Sequence, residues 1–169
     1  MPWIQTRSGK RFDYADIKPE MIDIEDIAFA LSNLCRYVGH VPFYSVAEHS
    51  LLVSFVVPEE NALQGLLHDA SEAYTGDVPR PLKTMCPELR KIEAEIEKVI
   101  AGVFKLDLLM PLVVRKVDDR MLITEQEALF REHVDEPVVK GESLPFVGIS
   151  CFPPEKAREF FLQRFYELI

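Results

Sequence analysis

The stretch His68–Asp77, HDASEAYTGD, constrains this chain most because it puts charged groups among apolar residues. Leucines precede its histidine, and alanines lie within it. This context predicts a buried helix on which His68 and Glu72 share one face, with Asp69 rotated by about 100° from His68. Buried imidazole and carboxylate groups must be paired or must coordinate an ion. The stretch therefore predicts a divalent metal site.

The chain has 169 residues, of which 48% are hydrophobic and 28% are charged. These values are typical of a folded protein of about one domain, and we expect residues 1–169 to form a single domain. No apolar run approaches the roughly 20 residues that a membrane-spanning helix needs. The first residues lack the apolar segment of a secretory signal. These features predict a cytoplasmic protein with no membrane partner.

Cysteine usage and charge narrow the possible functions. Cys35, Cys86 and Cys151 are odd in number and far apart, which is typical of free thiols in a reducing compartment. The formal net charge of −9 argues against stable nucleic-acid binding through a broad basic face. A phosphorylated small molecule is compatible with this charge, because a metal and a few bases can reverse the field inside one cleft.

Apolar positions at helical spacing predict an all-α fold of about six or seven helices. The predicted helices span residues 24–37, 46–57, 59–74, 87–104, 111–132 and 153–169. An irregular or hairpin-like arm is expected over residues 1–22, a proline-rich turn over 76–83 and a loop over 133–152. Asp23 is a predicted N-cap, and Ser45 with Glu48 fits a capping box.

Four residues from predicted helices are candidates for one metal site: His49, His68, Asp69 and Asp118. Two imidazoles and two carboxylates suit divalent ions such as Mn, Co, Zn or Mg. A lone histidine on an apolar face is more often a hydrogen-bonded core residue, so the ordered set carries this interpretation. Asp119 adjoins Asp118, and the residues alone leave open which of the two is the ligand.

The motifs AEHS at 47–50, HDASEAYTGDVPRPLK at 68–83 and the aspartate at 118 resemble, in this order, those of the HD-domain metal-dependent phosphohydrolases. The resemblance is nearer to the nucleotidase branch, which includes bacterial 5′-deoxyribonucleotidases. The compact length and the start WIQTRSGKRFD also look like the phage dATP triphosphohydrolases. The resemblance covers roughly residues 1–130 and implies a compact HD-domain helical bundle.

This resemblance implies a role for individual residues. The metal ligands that it implies are His49, His68, Asp69 and Asp118, and the spacing VRKVD favours Asp118 over Asp119. It implies a catalytic acid or base at Glu72 and a second active-site carboxylate at Asp77. The substrate-binding residues that it implies are Arg36, Tyr37, Lys83, Arg115 and Lys116. Candidates for stacking on a base are Trp3, Ile4, Tyr37, Val38 and Pro79, although packing is the ordinary role of each.

We expect a metal-dependent phosphohydrolase that acts on deoxynucleotides. The bases Lys83, Arg115 and Lys116 favour a triphosphate, foremost dATP. One alternative is a 5′-nucleotidase that removes phosphate from deoxynucleoside monophosphates. Another is a non-catalytic module that binds nucleotide or metal. Glu72 and Asp77 argue against it, because such a module needs no acid or base. A purely structural all-α protein is the third, and the apolar helix faces would permit a homo-oligomer.

Overall fold

The computed structural model describes residues 1–132 and 139–169. It begins with an antiparallel hairpin of two short strands, β1 (Trp3–Gln5) and β2 (Arg11–Asp13). The helices that follow are α1 (Ile24–Asn33), α2 (Val46–Val56), α3 (Ala62–Leu67), α4 (Glu72–Thr75), α5 (Arg80–Met85), α6 (Pro87–Phe104), α7 (Leu112–Leu129) and α8 (Pro154–Leu168). The predicted all-α class is confirmed.

Two further expectations concern the loop and the membrane. Residues 139–152 are irregular, as expected for the predicted loop over 133–152, whose residues 133–138 lie outside the described ones. Among the described helices, none combines the length and the apolar character needed to cross a membrane.

Helix α2 lies at the centre of the fold and packs against α1, α3, α7 and α8. Eight of its eleven residues are buried, because its sequence is apolar or small on all sides and can be enclosed. Leu51 belongs to a core cluster with Phe12, Leu31 and Phe161, which joins α2 to the hairpin, α1 and α8. Other residues of α2 pack against α7 in a second cluster.

Gly65 allows α3 to approach α2 closely. A Cβ atom at this position would lie 3.0 Å from Cγ2 of Val57 and 3.3 Å from Cα of Ser54, so any larger residue would push the two helices apart. The close approach brings the end of α3 beside the buried middle of α2. It is this arrangement that lets His68 reach His49.

Helix α1 is shorter than predicted. Its N-cap is Asp23, whose side chain accepts a hydrogen bond from the Glu25 amide at 2.9 Å, as expected. The helix ends at Asn33, because Leu34 is extended and Cys35 pairs with Ser45 in an antiparallel bridge. The prediction of a helix to residue 37 is therefore wrong.

The predicted helix over residues 59–74 is interrupted at the HD stretch. Between α3 and α4 the amides bond to carbonyls three residues back, as in Ala70 to Leu67 and Glu72 to Asp69, both at 3.0 Å. In such tight winding, residues i and i+3 lie above one another. Asp69 and Glu72 therefore share a direction, whereas the shared face of His68 and Glu72 stays a prediction.

The region after Gly76 also contains more helix than expected. Residues 80–83 of the predicted turn belong to α5, which continues to Met85 and has Pro81 in its first turn, where the fixed φ of proline suits a helix. The long α6 has the predicted bounds. With α3, α4 and α5 counted as separate short elements, the described residues contain eight α-helices, in agreement with the predicted bundle of about six or seven.

The capping box of α2 is only half formed, because Glu48 has another role. The Ser45 hydroxyl accepts from the Glu48 amide at 3.1 Å, as predicted. The Glu48 carboxylate instead accepts three backbone N–H groups, from Ser150 at 2.8 Å, Cys151 at 3.0 Å and Phe152 at 2.7 Å. A buried side chain of α2 thus fixes the segment that leads into α8.

We expect Glu48→Gln to lower the free energy of unfolding by about 2–4 kcal/mol, because it weakens charge-assisted hydrogen bonds and turns an amide N–H₂ towards backbone donors. Urea denaturation measures this loss. The control is Glu60→Gln, which changes an exposed glutamate and should leave stability within about 0.5 kcal/mol. Equal stability of the two variants would contradict the anchoring role.

Candidate active site

Four side chains from three parts of the chain meet beside α2. The Nε2 atoms of His49 and His68 are 3.2 Å apart. Oδ1 of Asp118 lies 3.3 Å from Nε2 of His49, and Oδ2 of Asp69 lies 3.3 Å from Nε2 of His68. In the described part of the chain, His49, His68 and Asp118 form a cluster able to offer one ligand atom each to a single ion. The four residues predicted to bind metal therefore lie together.

Hydrogen bonds at the far side of each ring set the tautomers of the two histidines. Nδ1 of His49 bonds to the Glu125 carboxylate, and Nδ1 of His68 bonds to the Gly65 carbonyl at 2.8 Å. Both partners are acceptors, so each Nδ1 carries the proton and each neutral ring presents the lone pair of Nε2. Two Nε2 lone pairs that face each other at 3.2 Å repel, and a cation or a proton between them relieves this repulsion.

This donor set fits a divalent metal. Metal bonds of about 2.0–2.2 Å to imidazole nitrogen and carboxylate oxygen place neighbouring ligand atoms roughly 3–3.5 Å apart. The three distances above fall in this range, and Nε2 of His68 lies somewhat farther from Oδ1 of Asp118, at 3.8 Å. The charges agree with this fit. Burial lowers the pKa of His68, but Asp69 and Asp118 together raise it well above its ordinary value. A cluster that holds protons so strongly also attracts a cation.

Asp118 and Asp119 have different environments. Asp118 directs Oδ1 to the histidines, and its Oδ2 accepts from Nη2 of Arg80 at 3.1 Å. Asp119 accepts from Nη1 of the same arginine at 2.8 Å. Although burial opposes it, the two nearby histidines lower the pKa of Asp118. Asp118 is therefore the aspartate that the structure brings to the cluster.

Glu125 of α7, which is fully buried, supports this cluster from behind. Besides the His49 ring, it accepts from the hydroxyls of Tyr37 at 2.7 Å and Tyr44 at 2.8 Å, and it pairs with Nη2 of Arg36 at 3.0 Å. Burial opposes its ionisation, yet Arg36 and His49 lower the pKa of Glu125 to about 2. The carboxylate is therefore a permanent negative charge within the core.

Glu125 was not among the predicted site residues, although one signal in the sequence pointed to it. Glu125 follows Asp118 by seven residues, which is close to two helical turns, so both face the same side of α7. Val114 and Met121 lie on this buried side as well. Two acidic residues on the buried stripe of one helix indicate a polar site within the core.

The loop after α1 carries Arg36 and Tyr37 in an unusual backbone conformation. The Arg36 amide bonds to the Tyr44 carbonyl at 2.9 Å. Tyr37 and Val38 follow with φ of 57° and 54°, a left-handed conformation that costs about 1–3 kcal/mol per non-glycine residue. The bonds of Arg36 and Tyr37 to Glu125 offset this strain. They hold Nη1 of Arg36 3.7 Å from Oδ2 of Asp69.

A cavity of about 340 Å³ opens beside the cluster. The predicted site residues that line it are Arg36, Tyr37, Asp69, Glu72, Asp77, Lys83 and Asp118. A second cavity of about 350 Å³ adjoins it and shares Asp69, Glu72 and Lys83 with it. Two predicted ligands, Asp69 and Asp118, and the predicted acid–base residues Glu72 and Asp77 therefore line the same cavity.

Glu72 and Asp77 are carboxyl groups with raised pKa values in this cleft. Burial raises the pKa of Glu72 well above its ordinary value, and the charges of Asp69 and Asp77 raise it further, against the effect of Lys83. Burial likewise raises the pKa of Asp77, although Arg36 opposes this. Oε2 of Glu72 is buried and has no hydrogen-bond partner within the described residues. An uncommitted carboxyl oxygen is what proton transfer requires.

The three bases Lys83, Arg115 and Lys116, predicted to bind substrate, lie in different environments. Lys83 pairs with two carboxylates, Oε1 of Glu72 at 3.0 Å and Oε1 of Glu93 at 2.9 Å. Arg115 is exposed at the edge of the second cavity. Lys116 is also exposed and lines neither cavity, because two residues on a helix turn it about 200° from Asp118.

The candidates for base stacking fall into two groups, those that line a cavity and those that do not. Tyr37 and Pro79 line the first cavity. Trp3, Ile4 and Val38 line neither of the two cavities. Trp3 belongs to β1, where the Arg11 guanidinium lies 5.3 Å from the centre of its ring.

Comparisons with known proteins give an independent view of this chain. Residues 54–135, which include His68, Asp69, Asp118 and Glu125, match the family described as 5′-deoxynucleotidase YfbR-like. The uncharacterized protein YfdR of Escherichia coli is 40% identical over 171 residues, covering 99% of this chain and 96% of that protein.

Two further relatives differ in how much of their length is similar to this chain. An uncharacterized protein of Rhodobacter capsulatus is 31% identical over 99% of this chain and 95% of its own length. A 5′-deoxynucleotidase of Vibrio atlanticus is 38% identical over 74 residues, which cover 32% of this chain and 38% of that enzyme.

We expect Glu125→Gln to weaken the binding of Mn, Co or Zn by about 10- to 100-fold, because the His49 ring loses the carboxylate that fixes its tautomer. Isothermal titration of the metal-free protein measures this change. Glu127→Gln alters an exposed glutamate on the same helix and serves as the control, with unchanged affinity. Equal affinities for both variants would contradict the role of Glu125.

Proposed function

Because this chain belongs to the HD-domain phosphohydrolases of the YfbR-like 5′-deoxynucleotidase family, we propose that it removes the 5′-phosphate from deoxynucleoside monophosphates. The observation that carries the proposal is the cluster of His49, His68, Asp69 and Asp118 beside a buried carboxyl group, Glu72, in one cleft. The relative from Vibrio atlanticus, which is 38% identical over 74 residues, is called a 5′-deoxynucleotidase. This supports the 5′-nucleotidase alternative.

The expected dATP triphosphohydrolase activity lacks such support. The sequence suggested it because Lys83, Arg115 and Lys116 could contact additional phosphates. In the structure Lys83 is bonded to Glu72 and Glu93, and Lys116 lies away from both cavities. The names of the similar enzymes favour a monophosphate as well. We therefore place the monophosphate first.

The side chains of His49, His68, Asp69 and Asp118 would hold the divalent metal, of which Mn, Co, Zn and Mg are the candidates. When bound, such an ion lowers the pKa of water and polarises a phosphoryl oxygen. The histidines contribute neutral Nε2 atoms because Glu125 and Gly65 accept their Nδ1 protons. The carboxylates supply the negative charge that balances the cation.

Glu72 would exchange the proton in the reaction. Burial raises its pKa well above the ordinary value, which favours its protonated form, and its Oε2 atom is not engaged by another group in the described residues. A group with these properties can protonate the leaving oxygen of the nucleoside or accept a proton from water. Asp77 lines the same cavity and would orient water or substrate there.

Arg36 would bind the phosphate. Its side chain lines the first cavity, and its ion pair with Glu125 fixes the guanidinium, so little conformational freedom is lost on binding. A guanidinium matches the geometry of phosphate oxygens. Tyr37 and Pro79 line the same cavity and would contact the sugar or the base.

The cellular setting of the protein is part of this proposal. Cys35, Cys86 and Cys151 are free thiols, which agrees with a reducing cytoplasm. The homo-oligomer and the absence of stable nucleic-acid binding stay predictions.

We expect the metal-loaded protein to release orthophosphate and deoxynucleoside from deoxynucleoside monophosphates. A screen of the natural deoxynucleotides with Mn, Co, Zn and Mg, with identification of products, measures this activity. A chelator should abolish it, and the same metal should restore it. Tripolyphosphate from dATP as the main product would instead establish the triphosphohydrolase, and no hydrolysis of any deoxynucleotide would rule out both.

We expect Glu72→Gln to lower kcat by about 100- to 10,000-fold, the usual contribution of acid–base catalysis, while the protein still binds metal. Steady-state kinetics and metal analysis of the same preparation check both parts. The control is Glu60→Gln, an exposed change that should leave kcat unaltered. If Glu72→Gln behaves like the wild-type protein, the non-catalytic binding module becomes the better interpretation.

A further inference from the structure

We propose that Glu93 is a positioning residue of the active site. It holds Lys83 against Glu72 and balances the lysine charge, so that Lys83 orients the proton-transferring carboxyl group instead of binding substrate phosphate. This inference rests on the proposed function, in which Glu72 transfers the proton. It assigns a role to Glu93 and changes the role expected of Lys83.

The three side chains form a continuous, largely buried chain of contacts. Nζ of Lys83 lies 3.0 Å from Oε1 of Glu72 and 2.9 Å from Oε1 of Glu93. The exposed fractions of the side chains are 21% for Lys83, 6% for Glu72 and 8% for Glu93. One ammonium group therefore bridges two largely buried carboxyl groups.

The position of Glu93 is explained by this contact. It lies on the buried side of α6, which also carries Ile96 and Ile100. A carboxylate on such a face is costly unless it is paired. Lys83 provides the pair, and the Thr75 hydroxyl is a weaker donor at 3.4 Å. Other acidic residues of α6, such as Glu95, are exposed.

The charges explain what Glu93 adds to the site. With Glu72 protonated, Lys83 and Glu93 together are neutral. Without Glu93, the lysine charge would act on Glu72 alone and favour its ionised form. Lys83 would also be free to attract a phosphate. A balanced Lys83 can instead hold Oε1 of Glu72 in place and leave Oε2, the atom without a partner in the described residues, for the reaction.

A double-mutant cycle tests the proposal. Lys83→Met, Glu93→Gln and the double variant are compared in the hydrolysis of a deoxynucleoside monophosphate. Each single change should lower kcat by about tenfold or more and leave KM within about twofold, because orientation of Glu72 is lost and substrate contacts are not. The double variant should be no slower than Lys83→Met, since residues that act as a unit are not additive.

Two matched variants separate the proposed role from a loss of structure. Glu93→Asp keeps the charge and should retain more of the wild-type kcat than Glu93→Gln. Glu95→Gln removes an exposed charge from the same helix and should leave kcat unchanged. Equal kcat values for Glu93→Asp and Glu93→Gln would count against the charge-based role.

Other outcomes would overturn the proposal. A roughly tenfold rise in KM for Lys83→Met with unchanged kcat would identify a phosphate contact, and losses that multiply in the double variant would show that Lys83 and Glu93 act separately. If Glu93→Gln does not fold, the kcat and KM of Lys83→Met still decide between the two roles.

The Tm values of the same variants can be measured without any enzymatic activity. They distinguish failure of this inference from failure of the proposed function. If the losses of Tm are non-additive but the wild-type protein hydrolyses no substrate, the proposed activity is refuted and the Lys83–Glu93 ion pair is still supported. Active protein with uncoupled kcat values would refute the positioning role alone.

Discussion

The buried carboxylate of Glu125 is the interaction on which the site depends. A charge of this kind costs several kcal/mol in a protein interior unless its oxygens are fully bonded, and its partners come from different parts of the chain. The pairing with Arg36 and Tyr37 draws the strained loop after α1 onto α7. The bond to His49 sets the tautomer that faces His68. The proposed metal ligands and the proposed phosphate contact therefore share one anchor.

The fold was predictable where local rules decide it. The bounds of α6 and the N-cap Asp23 depend on periodicity, proline and one side-chain bond, all within a few residues. The interruption at His68 was not predictable in this way, because the apolar pattern of a tight turn resembles that of an α-helix. It accompanies the close approach of α3 to α2 at Gly65, a contact between segments that periodicity cannot detect.

The active site, like the fold, was predictable only in part. The residues assigned to the metal come together, since a histidine or an aspartate in an apolar stretch must be paired or must bind an ion. The partners of the charged residues could not be deduced, because Glu125 meets Arg36 across 89 positions of sequence. Lys83 looked free for phosphate for the same reason. A lysine is available to a ligand only if the fold has not already paired it, and Glu93 pairs it here.

Charge balance in the cleft links these observations to the choice of substrate. A phosphate monoester carries a charge of about −2 at neutral pH. It could contact the proposed divalent ion and Nη1 of Arg36 while Nε and Nη2 of that arginine keep their bonds to Glu125. Each additional phosphate would need a further cation. Lys83 is neutralised by Glu93, and Arg80 pairs with Asp118 and Asp119. A triphosphate would have to displace these internal pairs, whereas a monophosphate would not, and the cleft therefore favours the smaller anion.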